Sequence, residues 1–159
     1  MKQLALGQHL ILDGYGCNLK RLIDQSFIWH FLDTCPLEIK MTKVSIPHVF
    51  EMRTKAEDAW GYSGFVLLAE SHIFIHTFPD RGSLNLDIFS CKPFDKKKAI
   101  EYAVSLFSIK KKRVKQFDRG IEFPLEEANK ITSTHREIYQ LSQWTNESVG
   151  WSKLINQGY

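Results

Sequence analysis

The chain has 159 residues, a net charge of +3, 43% hydrophobic residues and 25% charged residues. This composition is typical of a soluble globular protein and excludes a wholly disordered chain, and so small a charge gives no reason to expect a nucleic-acid partner. No apolar run approaches the roughly 20 residues that span a bilayer. The N-terminus lacks a convincing signal peptide, so we expect a cytoplasmic protein. Three dispersed cysteines without a CxxC pair argue against a disulfide scaffold and a structural zinc site.

Hydrophobic periodicity and turn residues predict four segments in the first 62 residues: a strand over 4–13, a helix over 19–33, a strand over 38–46 and a polar loop over 51–62. Asn18 is placed to cap the helix and Cys35-Pro36 to end it. Pro47 is placed to close the second strand.

The same signals predict five segments further on: strands over 63–70, 72–78 and 84–90, a helix over 96–108 and an edge strand over 110–117. The break between the first two strands falls near Glu70-Ser71. Asp95 is placed to cap the helix, and the lysines of the last strand would blunt an edge of the sheet.

This order predicts an α+β fold, a two-layer sandwich with one mainly antiparallel sheet and helices on one face. The other face of the sheet is then uncovered, which favours a homodimer. The pattern changes at Gly120, so we expect a domain over 1–119 and a partly helical C-terminal extension over 120–159.

The densest polar cluster is LLAESHIFIHTFPD at residues 67–80, followed by Cys91. Cys91 with His76 or His72 would be a nucleophile–base pair. His72 and His76 lie four residues apart, which on a strand places both on one face, as a metal site requires. The third alternative is structural, with the histidines lying on the polar face of a half-buried strand. Spacing alone leaves all three open.

The segment AESHIFIHTFPD resembles the self-processing segment of the prokaryotic S-adenosylmethionine decarboxylase family. GQHLILDGYGCN at 7–18, YSG at 62–64 and LDIFSC at 86–91 also resemble that family. The specific part is an ESH-x-x-IHT-x-P core with a cysteine 20 residues after its serine. The similarity extends through about residue 119.

The resemblance implies a proenzyme that cleaves itself between Glu70 and Ser71 into a β chain of residues 1–70 and an α chain that begins at 71. The Ser71 hydroxyl would attack the preceding carbonyl, and elimination and hydrolysis would leave a pyruvoyl group. By resemblance, Ser63 hydrogen-bonds the ester intermediate and His76 accepts the proton. Ser71 and His76 are five residues apart and face opposite sides of a plain strand, so a bend or a partner subunit must bring them together.

The pyruvoyl group derived from Ser71 would be the cofactor, without a metal ion or pyridoxal phosphate. It would form a Schiff base with the substrate and accept the electrons released with carbon dioxide. By resemblance, Cys91 is the proton donor in turnover, since a thiol with an ordinary pKa near 8.5 is mostly protonated at neutral pH. The product would supply polyamine (spermidine) synthesis.

The resemblance also implies substrate-binding residues. Asp80 in HTFPD replaces the glutamate that binds the ribose hydroxyls, and its side chain is about 1.5 Å shorter. Phe50 matches the aromatic residue that stacks on adenine, and Trp60 is a second candidate.

Some relatives decarboxylate arginine or ornithine, so a decarboxylase of one of these amino acids is an alternative. The segment between His48 and Tyr62 is longer than in the common form of the family, and it would have to supply an acidic residue for such a substrate. Its candidates are Glu51, Glu57 and Asp58. The alternative outside the enzymes is a non-catalytic member of the family that stays uncleaved and serves as a partner subunit. The complete set of Glu70, Ser71, His76 and Cys91 argues against it.

Overall fold

The computed structural model describes residues 7–53, 60–69 and 71–120, all within one compact unit that ends at Gly120. The strands are β1 Gly7–Tyr15, β2 His48–Arg53, β3 Trp60–Leu68, β4 Ser71–Phe78, β5 Ser83–Ser90 and β6 Lys111–Arg119. The helices are α1 Leu19–Leu22, α2 Gln25–Glu38 and α3 Lys96–Phe107, with a 3₁₀ turn at Pro79–Arg81. None of the helices within these ranges has the length and apolarity needed to cross a bilayer. Residues 4–6 of the first predicted strand and the predicted C-terminal helix lie outside the described ranges.

The six strands form one antiparallel sheet in the order β2-β3-β4-β5-β1-β6. Three consecutive strands, β3 to β5, are paired directly, and β1 lies between β5 and the lysine-rich edge strand β6. The predicted fold class, α+β with an antiparallel sheet, is confirmed.

One face of the sheet is covered by α2 and α3. Alternate side chains of the central strands are fully buried there against apolar side chains of the two helices: Leu10, Leu12, Ile73, Ile75, Leu84, Leu86 and Ile88 from the strands, and Ile28, Phe31, Leu32, Ala103 and Phe107 from the helices. Burying each large aliphatic side chain contributes about 1.5–3 kcal/mol. Gly64 allows this close packing, because a Cβ atom there would lie 2.8 Å from Leu32 Cδ1.

The opposite side of the sheet, here called the open face, carries the other set of alternate residues. Cross-strand register places the following side chains on it: His48 and Phe50, Ser63 and Phe65, His72, Phe74 and His76, Asn85, Asp87 and Phe89, and His9, Ile11 and Asp13. The described helices all pack on the other face, as the two-layer prediction requires.

The helix predicted over 19–33 is in fact two helices, and the predicted end at Cys35-Pro36 is wrong. The helical conformation is interrupted at Ile23-Asp24. There the Asp24 carboxylate accepts a hydrogen bond from the Phe27 backbone N–H at 3.0 Å and caps α2. Helix α2 continues to Glu38, because Pro36 removes only one amide donor and the Ile39 N–H still bonds the Cys35 carbonyl at 3.1 Å.

The strand predicted over 38–46 is also wrong. Residue 38 ends α2, Lys40 has a left-handed φ of 58°, and the segment forms only an isolated bridge between Lys43 and Leu68. The alternation of apolar and polar residues in this segment does not reflect a strand with one buried face, because Ile39 is buried below the end of α2 whereas Val44 is 63% exposed. Strand β2 begins after Pro47, so Pro47 precedes a strand and does not close one.

The loop predicted over 51–62 is partly wrong, since 51–53 belong to β2 and 60–62 to β3, while 54–59 lie outside the described residues. The later elements are confirmed. Strand β3 ends at Leu68 and β4 begins at Ser71, in agreement with the predicted break, and β6 is an edge strand. The Asp95 carboxylate caps α3 by accepting a hydrogen bond from the Lys98 backbone N–H at 2.9 Å.

Candidate active site

Ser71 and Cys91 lie at the same end of two paired strands and are here called the first half-site. Ser71 is the first residue of β4 and is the register partner of Ser90, the last residue of β5. Cys91 follows Ser90 and is exposed. Glu70, on the other side of the predicted cleavage point, lies outside the described residues.

The Ser71 hydroxyl is buried and has no hydrogen-bond partner among the described residues. A buried hydroxyl without a partner costs free energy, so its presence calls for an explanation. An uncommitted hydroxyl is what an attack on the preceding carbonyl requires. The residue present at position 71 therefore fits the precursor of a pyruvoyl group.

The other two cysteines differ from Cys91 in burial. Burial raises the pKa of Cys17 to about 11 and, together with the charge of Glu38, raises the pKa of Cys35 to about 12. Both side chains belong to the hydrophobic core and remain thiols at any physiological pH. Of the three cysteines, only Cys91 is accessible to a substrate.

Ser63 and His76 form a hydrogen-bonded pair on the open face. They are register partners on β3 and β4, and Ser63 Oγ lies 2.8 Å from His76 Nδ1. The pair borders a cavity of about 90 Å³ that is lined also by Met52, Trp60 and Phe78.

Phe50 and Asp80 lie at the same end of the sheet as this pair. Phe50 on β2 is the register partner of Ser63, and its side chain is 54% exposed. Asp80 is exposed in the 3₁₀ turn that follows β4. These four residues, Phe50, Ser63, His76 and Asp80, are here called the second half-site.

The two half-sites of one chain are far apart. Ser71 and His76 stand at opposite ends of β4, and five residues of strand span about 17 Å. Ser71 is also on the helix-covered side of β4, whereas His76 is on the open face. The structure therefore does not bring Ser71 and His76 of one chain into contact, in agreement with their odd spacing.

The open face near the first half-site carries a cluster of His9, His72 and Asp87, of which the sequence pattern singled out only His72. His9 Nε2 lies 3.3 Å from Asp87 Oδ1. Burial lowers the pKa of His72, and the nearby His9 lowers it further while Asp87 opposes the shift. His72 and His76 do share a face, but the described residues contain no group of three side chains able to hold a metal ion. Strand alternation around His9 and Asp87 was the available signal for this cluster.

Comparison with known proteins gives the same assignment by sequence and by structure. The family model for S-adenosylmethionine decarboxylase matches residues 8–120. The chain is 32% identical over 122 residues to S-adenosylmethionine decarboxylase proenzyme 2 of Bacillus cereus, which covers 76% of this chain and 94% of that protein. It is 31% identical over 136 residues to the S-adenosylmethionine decarboxylase proenzyme of Pyrococcus furiosus, covering 82% and 88%.

A solved structure is similar as well. The adenosylmethionine decarboxylase of Aquifex aeolicus superimposes with a TM-score of 0.61 at 28% identity, covering 73% of this chain and 92% of that one. The matched region includes both half-sites and every described strand except the first residue of β1. The chain belongs to the S-adenosylmethionine decarboxylase family.

Proposed function

We propose that this protein is a self-processing, pyruvoyl-dependent decarboxylase that acts on S-adenosylmethionine and supplies polyamine synthesis. The observation that carries the proposal is the first half-site in a chain of this family. A buried Ser71 hydroxyl without a partner begins β4, and the exposed thiol of Cys91 directly follows its register partner.

Self-cleavage starts from the Ser71 hydroxyl. Its oxygen attacks the carbonyl carbon of residue 70, the C–N bond breaks, an ester forms, and the proton passes to the freed amine. A base must then remove the Cα proton of Ser71, which expels the carboxylate of the N-terminal chain. Water converts the remaining dehydroalanine into the pyruvoyl group and releases ammonia.

His76 is the base that we propose for the elimination step. Its Nδ1 atom is committed to Ser63 Oγ at 2.8 Å. For Nε2 to accept a proton, Nδ1 must carry the ring hydrogen and donate it to Ser63, which selects one tautomer and one ring orientation. Ser63 therefore has two proposed roles: it orients His76 so that Nε2 can accept a proton, and it hydrogen-bonds the ester intermediate.

In turnover, the pyruvoyl group would act as a sink for the electrons that departing carbon dioxide leaves behind. The chain must then deliver a proton to the carbon that lost the carboxylate. The Cys91 thiol is adjacent to the register partner of Ser71 and is exposed, so it is the side chain that we assign to this proton transfer.

A second copy of the chain is the source that we propose for the His76 that serves each Ser71. In a twofold dimer with open faces together, the second half-site of one chain can lie over the end of β4 at which the partner's Ser71 begins the strand, and the Ser71 backbone must turn toward the open face for its Cα proton to reach that base. A row of aromatic rings crosses the open face and would be covered in this dimer. The centroid of the Phe65 ring lies 5.2 Å from the ring centroids of both His48 and Phe74. The centroid of the His72 ring lies 5.3 Å from that of Phe74 and 5.7 Å from that of Phe89. An apolar surface of this kind favours association.

Mixing two inactive variants tests this arrangement. When each variant is expressed alone, we expect Ser71→Ala to stay uncleaved and His76→Ala to stay uncleaved or to cleave very slowly. Coexpression should restore cleavage of the His76→Ala chains, because a mixed dimer contains one intact Ser71 facing one intact His76. With equal expression and random pairing, about half of those chains are in mixed dimers.

The control for this experiment is coexpression of His76→Ala with a double variant that carries both Ser71→Ala and His76→Ala. No dimer of this pair contains an intact His76, so neither chain should be cleaved. Denaturing mass spectrometry counts the cleaved chains, and tagged copies confirm that mixed dimers form. Mixed dimers without any cleaved chain would contradict the assignment of His76 to the partner.

The second half-site supports S-adenosylmethionine as the substrate. The half-exposed ring of Phe50 is available to stack on adenine, which contributes about 1–3 kcal/mol for a base. The exposed carboxylate of Asp80 is available for the ribose hydroxyls. An arginine or ornithine substrate would need a distal acid, and Glu51 is already paired with Arg53 at 2.6 Å. Glu57 and Asp58 lie outside the described residues.

Carbon dioxide release from S-adenosylmethionine, arginine and ornithine tests the substrate. We expect release from S-adenosylmethionine alone. Asp80→Ala should raise the KM for S-adenosylmethionine about tenfold or more, the effect of losing a hydrogen bond to a charged group, without slowing self-cleavage. Glu101→Ala, which removes an exposed carboxylate on α3, is the matched control and should leave KM unchanged. Release from arginine or ornithine only would overturn the proposed substrate.

We also propose that the catalytic domain spans residues 1–119, as a β chain of 1–70 and an α chain that begins at 71, and that 120–159 is a separate extension. The end of the family match at residue 120 supports this boundary. The compact unit that holds every described residue ends at the same place.

A further inference from the structure

Thr77 is a buried polar residue next to His76 that the mechanism above does not use. It lies on β4 with its side chain on the helix-covered face and is 2% exposed. Its Oγ1 atom accepts a hydrogen bond from the Tyr62 backbone N–H at 2.9 Å and donates one to the Leu22 carbonyl oxygen at 3.1 Å. One hydroxyl thus joins β3, β4 and the end of α1.

The bond from the Tyr62 N–H joins the two strands just beyond the end of their backbone register. The register of β3 with β4 ends at the pair Ser63–His76, and Tyr62 is the residue immediately before Ser63. Gly61 packs directly against the Thr77 backbone, since a Cβ atom there would lie 1.9 Å from the Thr77 carbonyl oxygen. Beyond the Ser63–His76 pair, the Thr77 side chain and the close packing of Gly61 on the Thr77 backbone join the two strands.

We infer that Thr77 is a positioning residue for self-cleavage, because its hydroxyl holds β3 and β4 at the separation that puts Ser63 Oγ in hydrogen-bond contact with His76 Nδ1. The inference rests on the proposed roles of Ser63 and His76. A valine has the same shape but leaves the Tyr62 N–H and the Leu22 carbonyl buried without this partner. For the Tyr62 N–H and the Leu22 carbonyl to find new hydrogen-bond partners, the residues that flank Ser63 and His76 must move.

Thr34 provides a matched control for a purely structural role. Its hydroxyl donates to the His30 carbonyl oxygen at 2.7 Å and also forms a hydrogen bond with the Tyr102 hydroxyl at 2.6 Å. These contacts join α2 to α3 and involve neither β3 nor β4. Thr34→Val therefore removes two hydrogen bonds, as Thr77→Val does, without touching the strands that carry the processing pair.

The experiment follows cleavage of the full chain after a short pulse of cell-free synthesis, by denaturing electrophoresis. Thr77→Val should cleave about tenfold or more slowly than the wild type, since misplacement by about 1 Å is enough to cost up to about a hundredfold in rate. Thr77→Ser keeps both hydrogen bonds and should restore most of the rate. Thr34→Val should melt at a lower temperature but cleave at the wild-type rate.

Wild-type cleavage by a folded Thr77→Val protein, or equal slowing in Thr34→Val, would overturn the inference. If circular dichroism shows that Thr77→Val does not fold, Thr77→Ala is compared with Thr77→Ser by the same criteria. A second readout does not depend on cleavage. In the Ser71→Ala background, the NMR chemical shifts of the His76 ring should change in Thr77→Val and stay unchanged in Thr34→Val. Unchanged His76 signals in Thr77→Val would overturn the positioning role, whereas an intact wild-type chain would overturn the proposed function.

Discussion

Replacing Ser71 by alanine is expected to abolish both self-cleavage and decarboxylation. Alanine has no nucleophilic oxygen, so no ester can form and no pyruvoyl group can arise. Denaturing mass spectrometry should show a single intact chain for Ser71→Ala. For the wild type it should show residues 1–70 and a second chain that begins with a pyruvoyl group at position 71.

The fold of the Ser71→Ala variant should be unchanged, because the Ser71 hydroxyl has no hydrogen-bond partner among the described residues. Its loss removes an unpaired buried polar group, so thermal stability should be equal or slightly higher. Ser105→Ala, at an exposed position of α3, is the control and should cleave normally. A wild-type chain that stays whole after long incubation would contradict the cleavage assignment.

Replacing Cys91 by alanine should separate turnover from self-cleavage. No step of the cleavage uses the thiol, so Cys91→Ala should form both chains at the normal rate. Decarboxylation should be slower by about 100- to 10,000-fold, the usual contribution of general acid catalysis. The loss should appear in kcat with little change in KM, because the thiol acts on the developing carbanion and does not hold the ground-state substrate.

The two core cysteines are the controls for this variant. Cys17→Ala and Cys35→Ala remove buried thiols from the hydrophobic core and should lower the melting temperature. Turnover per folded molecule should stay normal, since neither thiol is accessible. Unchanged turnover in Cys91→Ala would remove Cys91 from the mechanism, and equal losses in all three variants would indicate a general effect on folding.

Local signals in the sequence were sufficient for most of the fold. Strands β3, β4 and β5 and helix α3 were predictable because alternation, helical spacing and the capping residue Asp95 all depend on near neighbours in the chain. Local signals failed between residues 19 and 47. There Asp24 starts a new helix, and the proline at 36 is tolerated because a single lost amide bond costs less than the burial of the side chains around it.

The residue types of the candidate site were also readable in the sequence. Ser71, His76 and Cys91 belong to one family pattern, and Ser63 lies in a second short motif. Their spacing in the sequence could not show which of them meet, because contact across a sheet depends on strand register. A shift of one residue between β3 and β4 would place Ser63 and His76 on opposite faces.

Two features were decided by tertiary structure alone. Strand register paired Ser63 with His76. Packing of α1 against the sheet made the Thr77 hydroxyl a bridge to Leu22. Such contacts join residues as much as 55 positions apart in the chain. The amino-acid sequence by itself determined the chemistry that is available to this protein, because each group is a property of one residue. Only the folded sheet decided which groups are neighbours, because distance in space depends on strand pairing that no local pattern encodes.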